Sequence, residues 1–227
     1  MNFKTEQEEF WAGRFGDNYI SKSMVEKVRY ELKFDDRVDG IMPLVREQMP
    51  VINELSSKTV AGTLAVGVSL NSLKGFDYLI VTEEKTPINI SKLRDGETII
   101  NKPMADQLEV NIGDQITLVS PSGRSKHQVI DIAEPIGLLG GTQSVRASAA
   151  FPVTTLQKEL GRQGYNLIEI SVKGDYIVEG VTHNEQLSEE VAKKLKLAFI
   201  DSNSAQKLFE MLKEPNVYGQ LTAKLNT

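Results

Sequence analysis

The chain has 227 residues, 40% of them apolar and 25% charged, and a formal net charge of −5, a balance that fits a folded globular protein of one or two domains. Cysteine is absent and His127 and His183 are the only histidines, which excludes disulfides, thiolate chemistry and a histidine-rich metal centre. The mild acidity, without a basic stripe, excludes nucleic acid as the expected partner.

A membrane-spanning helix needs about 20 mostly apolar residues. The longest stretch free of Asp, Glu, Lys and Arg runs from Thr59 to Leu73, and it contains Thr, Gly, Ser and Asn. The opening "MNFKTEQEEFWAG" lacks a basic start followed by an apolar run, so no secretory signal is expected. As written, the chain reads as soluble.

In chain order, Trp11, Phe15 and Tyr19 recur every four residues and predict one face of a helix, which Gly13 and Gly16 weaken. Val28, Tyr30, Leu32 and Phe34 alternate with Arg29, Glu31 and Lys33, which predicts a half-buried strand. "DDRVDG" follows as a solvated turn carrying Asp35, Asp36 and Asp39. Pro43 and Pro50 bracket "LVREQM", so any helix there is short. "TVAGTLAVGV" and "DYLIVTE" read as strands.

The middle of the chain is the most regular. "GETIINKP" predicts a short strand, and "PMADQLEV" a short helix with Pro103 in its first turn. "NIGDQITLVS" turns at Gly113 and enters a strand; "PSGR" then makes a hairpin with "KHQVIDIAE". His127 falls on this hairpin as an outward-facing residue. "VRASAAF" is strand-like, and "TTLQKELGRQG" is a helix capped by Thr154 or Thr155 and ended near Gly161 or Gly164. "NLIEISVKG" alternates as a strand. "NEQLSEEVAKKLKLAF" is a helix with Leu187, Val191, Leu195 and Ala198 on one face and Glu189–Lys193 and Glu190–Lys194 pairs on the other. "SNSAQKLFEML" predicts a last helix, and residues 216–227 a loose polar tail. Short strands interleaved with short helices indicate an α+β fold.

Catalytic templates fail. The sequence contains no phosphate-binding G-x-x-x-x-G-K-[ST], no G-x-S-x-G elbow, no H-E-x-x-H and no G-x-G-x-x-G. Ser204 and Lys207 match S-x-x-K but read as an exposed helix face, and His183 with Glu185 reads as a helix start. The acidic residues near Asp35 lack the order of a calcium loop. No catalytic residue, cofactor or metal is expected. The one candidate contact loop is Gly137, Leu138, Leu139, Gly140 and Gly141. Its glycines suit turns or close backbone approach; the alternative is a flexible lip over a groove or a partner contact.

From about residue 28 to 199, "VDGIMPLVREQMPVI", "SLKGFDYLIV", "LRDGETIINKPMADQLEVNIGDQITLVSPSGRSKHQVIDIAEPIGLLGG" and "NLIEISVKGDYIVEGV" resemble the extracytoplasmic core domain of ABC transporter permeases of the MacB/FtsX-like type. The most specific part is Gly96 to Leu118. Ile99, Ile100 and Asn101 fill the family's strand, Ala105 and Leu108 its helix, and Gly113, Asp114, Ile116 and Leu118 its "GD.I.L" strand. The resemblance implies a porter-like α/β unit (28–92 and 145–199) with a small β-rich inserted subdomain (93–144), flanked by an N-terminal helical segment (1–27) and a C-terminal helix and polar tail (200–227). It also implies a non-enzymatic domain outside the membrane that contacts substrate or a partner protein. Its other partners are the permease's transmembrane helices and a cytoplasmic ATPase, whose motion it relays.

A second resemblance is short. "KTEQEEFWAGRFGDNYISK", residues 4–22, resembles the N-terminus of methyltransferases associated with pseudaminic-acid synthesis, although the chain lacks a glycine-rich loop for S-adenosylmethionine. The function readings are therefore a permease domain, a methyltransferase-related protein or an orphan soluble binding module.

Overall fold

The computed structural model describes residues 20–74, 76, 82, 86, 88–135, 137–140, 146–173, 180–199 and 220–224. The aromatic series Trp11, Phe15 and Tyr19, most of the short methyltransferase resemblance, most of "DYLIVTE", and the helix expected around Ser204 and Lys207 lie outside these residues. The fold is α+β, and the chain divides into two compact units, residues 1–43 with 163–227 and residues 44–162. The second unit is thus an insertion into the first.

The inserted unit is a ring of six strands. Strand β1 (Val38–Asn53) supplies residues 44–53 to it and pairs antiparallel with β2 (Lys58–Val68), from Leu44 opposite Val68 to Asn53 opposite Lys58. β2 runs parallel to β6 (Ser148–Pro152), which is antiparallel to β3 (Glu97–Asn101). β3 is parallel to β5 (Gly123–Ala133), β5 forms a hairpin with β4 (Gln115–Ser120), and β4 closes on β1 through Val51–Leu118 and Ile52–Thr117. Every strand therefore has two neighbours, and no ring strand is left as an open edge. Leu44, Met49, Val51, Ile99, Ile100, Ile116, Leu118, Val129 and Phe151 are buried here. Helix α2 (Lys102–Leu108) starts at Asn101, whose side chain caps Met104 N, with Pro103 in the first turn as expected. Helix α3 (Val153–Glu159) approaches β2 at Gly67, where a Cβ would lie 3.2 Å from Leu156 and from the Val153 backbone.

The other unit buries Ile20, Val25, Val28, Leu32, Ile168, Ile170, Val172, Val191 and Leu195 in one cluster. Strand β7 (Leu167–Val172) is its central strand, flanked by β1 and by β8 (Gln220–Lys224). All six β7 residues are buried, so the alternation read from "NLIEISV" does not mark a wet face. Helices α1 (Lys22–Leu32) and α4 (Gly180–Phe199) complete the unit.

Several sequence expectations are corrected. Residues 28–34 are not a strand; they belong to α1 and its end. Val25, Val28 and Leu32 form the buried stripe at helical spacing, while Tyr30 and Phe34 are 76% and 90% exposed. Ser21 caps this helix by accepting from Met24 N. "LVREQM" is not helical but the middle of β1, and Pro50 sits at the bulge between Met49 and Val51, where a missing N–H breaks no ladder bond. α3 begins after Pro152 with no side-chain cap; Thr155 donates instead to Asp95. Residues 220–224 of the expected loose tail form β8. The units also differ from the expected partition. β2 and β6, assigned to the porter-like part, belong to the ring with the strands of 93–144, and residue 27 lies within α1 rather than at a boundary.

Candidate functional site

One end of the ring is built from two turns. In residues 53–58, Asn53 Oδ1 accepts from Leu55 N at 3.0 Å, and Asn53 Nδ2 donates to Leu108 O at 2.9 Å. Ser56 Oγ donates to the same carbonyl at 3.0 Å, so the β1–β2 turn is tied to the end of α2. The α2–β4 connection leaves the helix through Glu109 in the left-handed region. Asp114 Oδ2 then accepts from Asn111 N at 2.7 Å, and Gly113 takes φ +97° while donating to Val129 O at 2.8 Å. This is the turn that the Gly113–Asp114 pair predicts.

Each turn presents an aliphatic side chain to solvent: Leu55 is 89% exposed and Ile112 59%. Beside them lies a cleft of about 290 Å³ lined by Glu54, Leu55, Gly113, Asp114, Gln115, Thr117 and Lys126. Glu54 is held in it by Lys126 at 3.0 Å and by Thr117 Oγ1 at 3.1 Å, and its carboxyl is pushed below the ordinary value first by Lys126 and then by Thr117. Lys58 and Glu109 span the two turns at 3.7 Å. Apolar side chains held at the tips of hydrogen-bonded turns and rimmed by paired charges suit the binding of another surface, because their order is established before contact. The sequence reading missed Leu55 and Ile112. The available signal was a lone aliphatic residue inside each of two polar turns, "NELSS" and "NIGD".

The expected contact loop is placed differently from an open lip. Residues Gly137–Leu139 form a single 3-10 turn with Gly137 at φ +57°, and Leu138 and Leu139 are both buried. Leu139 O accepts from Asn101 Nδ2 at 2.9 Å and from Ser148 Oγ. Gly140 donates back to Gly137 O, and Gly141 lies outside the described residues.

In the other unit, the turn after α1 holds a charged cluster. Both oxygens of Asp35 receive Arg37, through Nε and Nη2 at 2.8 Å, and Lys194 Nζ reaches Oδ2 at 2.9 Å. Arg37 Nη1 also binds Glu190 Oε2 at 2.8 Å. Asp35 is therefore not part of a solvated turn. Its side chain is almost wholly buried, and the Arg37 guanidinium holds its carboxyl far below the usual carboxylate range. The same partnership, with Glu190 added, raises Arg37. Glu190 and Lys194 thus reach across to Arg37 and Asp35 as well as lying one turn apart on α4.

His127 is also corrected: it is 2% exposed, not a surface residue. Along β5, His127 and Val129 face inward and Lys126 and Gln128 outward. The His183 side chain lies outside the described residues. Among the described residues, no cluster of His, Asp and Glu could hold a metal ion, and no helix is long and apolar enough to cross a membrane.

The structure is similar to two transporter domains. One is the extracellular domain of the noncanonic ABC-type transporter YknZ from Gram-positive bacteria, with a TM-score of 0.48 and 11% identity, covering 78% of this chain and 84% of that one. The other is the periplasmic region of MacB from Actinobacillus actinomycetemcomitans, with a TM-score of 0.47 and 11% identity, covering 78% and 81%. No family model and no curated protein matches the sequence.

Proposed function

We propose that the chain is a non-catalytic extracytoplasmic domain of an ABC transporter permease of the MacB/FtsX-like type. It binds substrate or a partner protein at the ring end that carries Leu55 and Ile112. It relays motion imposed on the permease's membrane helices by a cytoplasmic ATPase.

The observation that carries this reading is the stretch Gly96–Leu118, where the residues of the family resemblance are also the residues that shape the site. Asn101 caps α2, Ala105 and Leu108 are buried on one helix face, and Gly113 and Asp114 form the turn that presents Ile112. The insertion of residues 44–162 between two parts of the other unit supports a relay, since the binding turns hang from two chain crossings rather than from one linker. Only contacts that differ between the two transport states can do work in such a cycle.

The reading is tested by the reading frames flanking this coding sequence. An ATPase with a Walker motif beside it, or an in-frame segment encoding apolar helices of a permease, is the expected result. A locus with neither contradicts the transporter assignment.

A further inference from the structure

Strand β1 covers β4 over only two residue pairs, Val51–Leu118 and Ile52–Thr117. A strand between two antiparallel neighbours bonds to one through alternate residues and to the other through the residues between. On the β5 side, Val129 N donates to Asp114 O at 2.8 Å, which fixes the phase. Asp114, Ile116 and Leu118 therefore bond to β5, and Gln115, Thr117 and Val119 turn their backbone groups towards β1. Gln128, opposite Gln115, agrees with this phase by donating its N–H the other way, to Gly96 O. Thr117 meets Ile52 of β1. Gln115 meets no strand residue, because β1 ends at Asn53 and the chain turns away towards β2. Among the described residues, no backbone hydrogen bond reaches the Gln115 N–H or C=O, and both point to the side on which Glu54 and Leu55 line the cleft.

The cleft beside this opening carries the other contacts that a peptide chain needs. Leu55 offers an aliphatic surface that Asn53 holds in place through the Leu55 N–H. Glu54 and Lys126 neutralise each other at 3.0 Å, and Thr117 Oγ1 donates to the second oxygen of Glu54. Asp114 is different. Its Oδ2 accepts from Asn111 N, and among the described residues no cation pairs with it. The uncompensated charge of the cleft is therefore negative.

We propose that this cleft takes an extended peptide segment of a partner protein: its main chain bonds to Gln115, a Lys or Arg side chain faces Asp114, and an aliphatic side chain packs on Leu55. Strand addition draws affinity from main-chain bonds and selectivity from the side chains beside them. The opening is confined to Gln115, so a short segment fills it. The proposal rests on the reading of this ring end as the binding end, and it names the chemistry of what binds there.

Amide NMR of the full chain tests it, with three blocked peptides as probes: acetyl-Val-Lys-Val-Lys-amide, the same peptide with N-methylated backbone amides, and acetyl-Val-Glu-Val-Glu-amide. The lysine peptide should move the Gln115 amide signal downfield and slow its exchange with solvent. Asp114→Asn, which keeps an acceptor for Asn111 N, should weaken this binding about two- to fivefold, the range for an exposed ion pair. Leu55→Ser should weaken it as well. The N-methylated peptide should leave the Gln115 signal in place. No shift at Gln115 up to the solubility limit of the lysine peptide, an equal shift with the N-methylated peptide, or equal binding of the glutamate peptide would each overturn the peptide site. None of these results bears on the transporter assignment, which the flanking reading frames decide separately.

Discussion

Asn101 and Ser148 hold each other from both directions: Asn101 Oδ1 accepts from Ser148 N at 3.0 Å, and Asn101 Nδ2 donates to Ser148 Oγ at 2.7 Å. The same amide caps α2 and donates to Leu139 O and to Arg146 O. One buried side chain thus joins the end of β3, the start of α2, the 137–139 turn and the start of β6. Asn101→Ala should cost about 2–4 kcal/mol, combining a lost cap of about 1 kcal/mol with buried groups left unpaired. Urea unfolding followed by circular dichroism checks this; a loss below about 1 kcal/mol would show that the junction is not held by this amide.

The Asp35 cluster makes the stability of the fold fall in acid. A carboxyl held below its unfolded value contributes stability that is complete above about pH 4 and is lost as pH falls through the folded value. Asp35→Asn should therefore destabilise the protein by a few kcal/mol at pH 7, the range for breaking a buried ion pair, discounted because Arg37 and Lys194 are about one-third exposed. The deficit should shrink as the wild-type Asp35 is protonated in strong acid. Melting curves of both proteins across this range supply the comparison, and a deficit independent of pH would contradict the assigned charge state.

Gly113 and Gly67 separate two reasons for glycine. At Gly113 a Cβ meets nothing within 4 Å, but φ is +97°. Gly113→Val should cost about 1 kcal/mol or more through backbone strain alone. At Gly67 the backbone is ordinary but a Cβ would press on Leu156 and Val153, so Gly67→Ala should cost about 1–3 kcal/mol through overpacking. Leu156→Ala, itself destabilising because Leu156 is buried, should reduce the cost of Gly67→Ala measured in its background and leave the cost of Gly113→Val unchanged, read from double-mutant cycles of unfolding free energies.

Local chemistry was legible where it was decided locally. The Pro103 helix start, the Gly113–Asp114 turn and the β4–β5 hairpin lie where the residues predict them, because each depends on neighbours a few positions away. Residues 28–34 misled because four alternating apolar residues also include Val28 and Leu32 at helical spacing, and Ser21 and Val25 decided the matter from outside the window. Pro50 suggested a break in β1 but marks a bulge. The burial of His127 and the closure of the ring through β4 and β1 depend on partners far away in sequence, such as Phe151 and the Val51–Leu118 pair. The placing of Leu55 depends on Asn53 and Ser56 reaching the distant Leu108 carbonyl at the end of α2, and that of Ile112 on the turn that Asp114 closes onto Asn111 N.

The most direct test of the account uses the absence of cysteine from the chain. A single cysteine placed by Leu55→Cys, in the protein expressed from its native gene with whatever flanks it, is the only reactive thiol this chain offers. Met42→Cys, at a position with no exposure, serves as the buried control. Treating intact cells or spheroplasts with a membrane-impermeant maleimide should label position 55 without lysis and leave position 42 unlabelled until the protein is denatured. Labelling of position 55 only after the membrane is opened would place this domain on the cytoplasmic side and contradict the extracytoplasmic role.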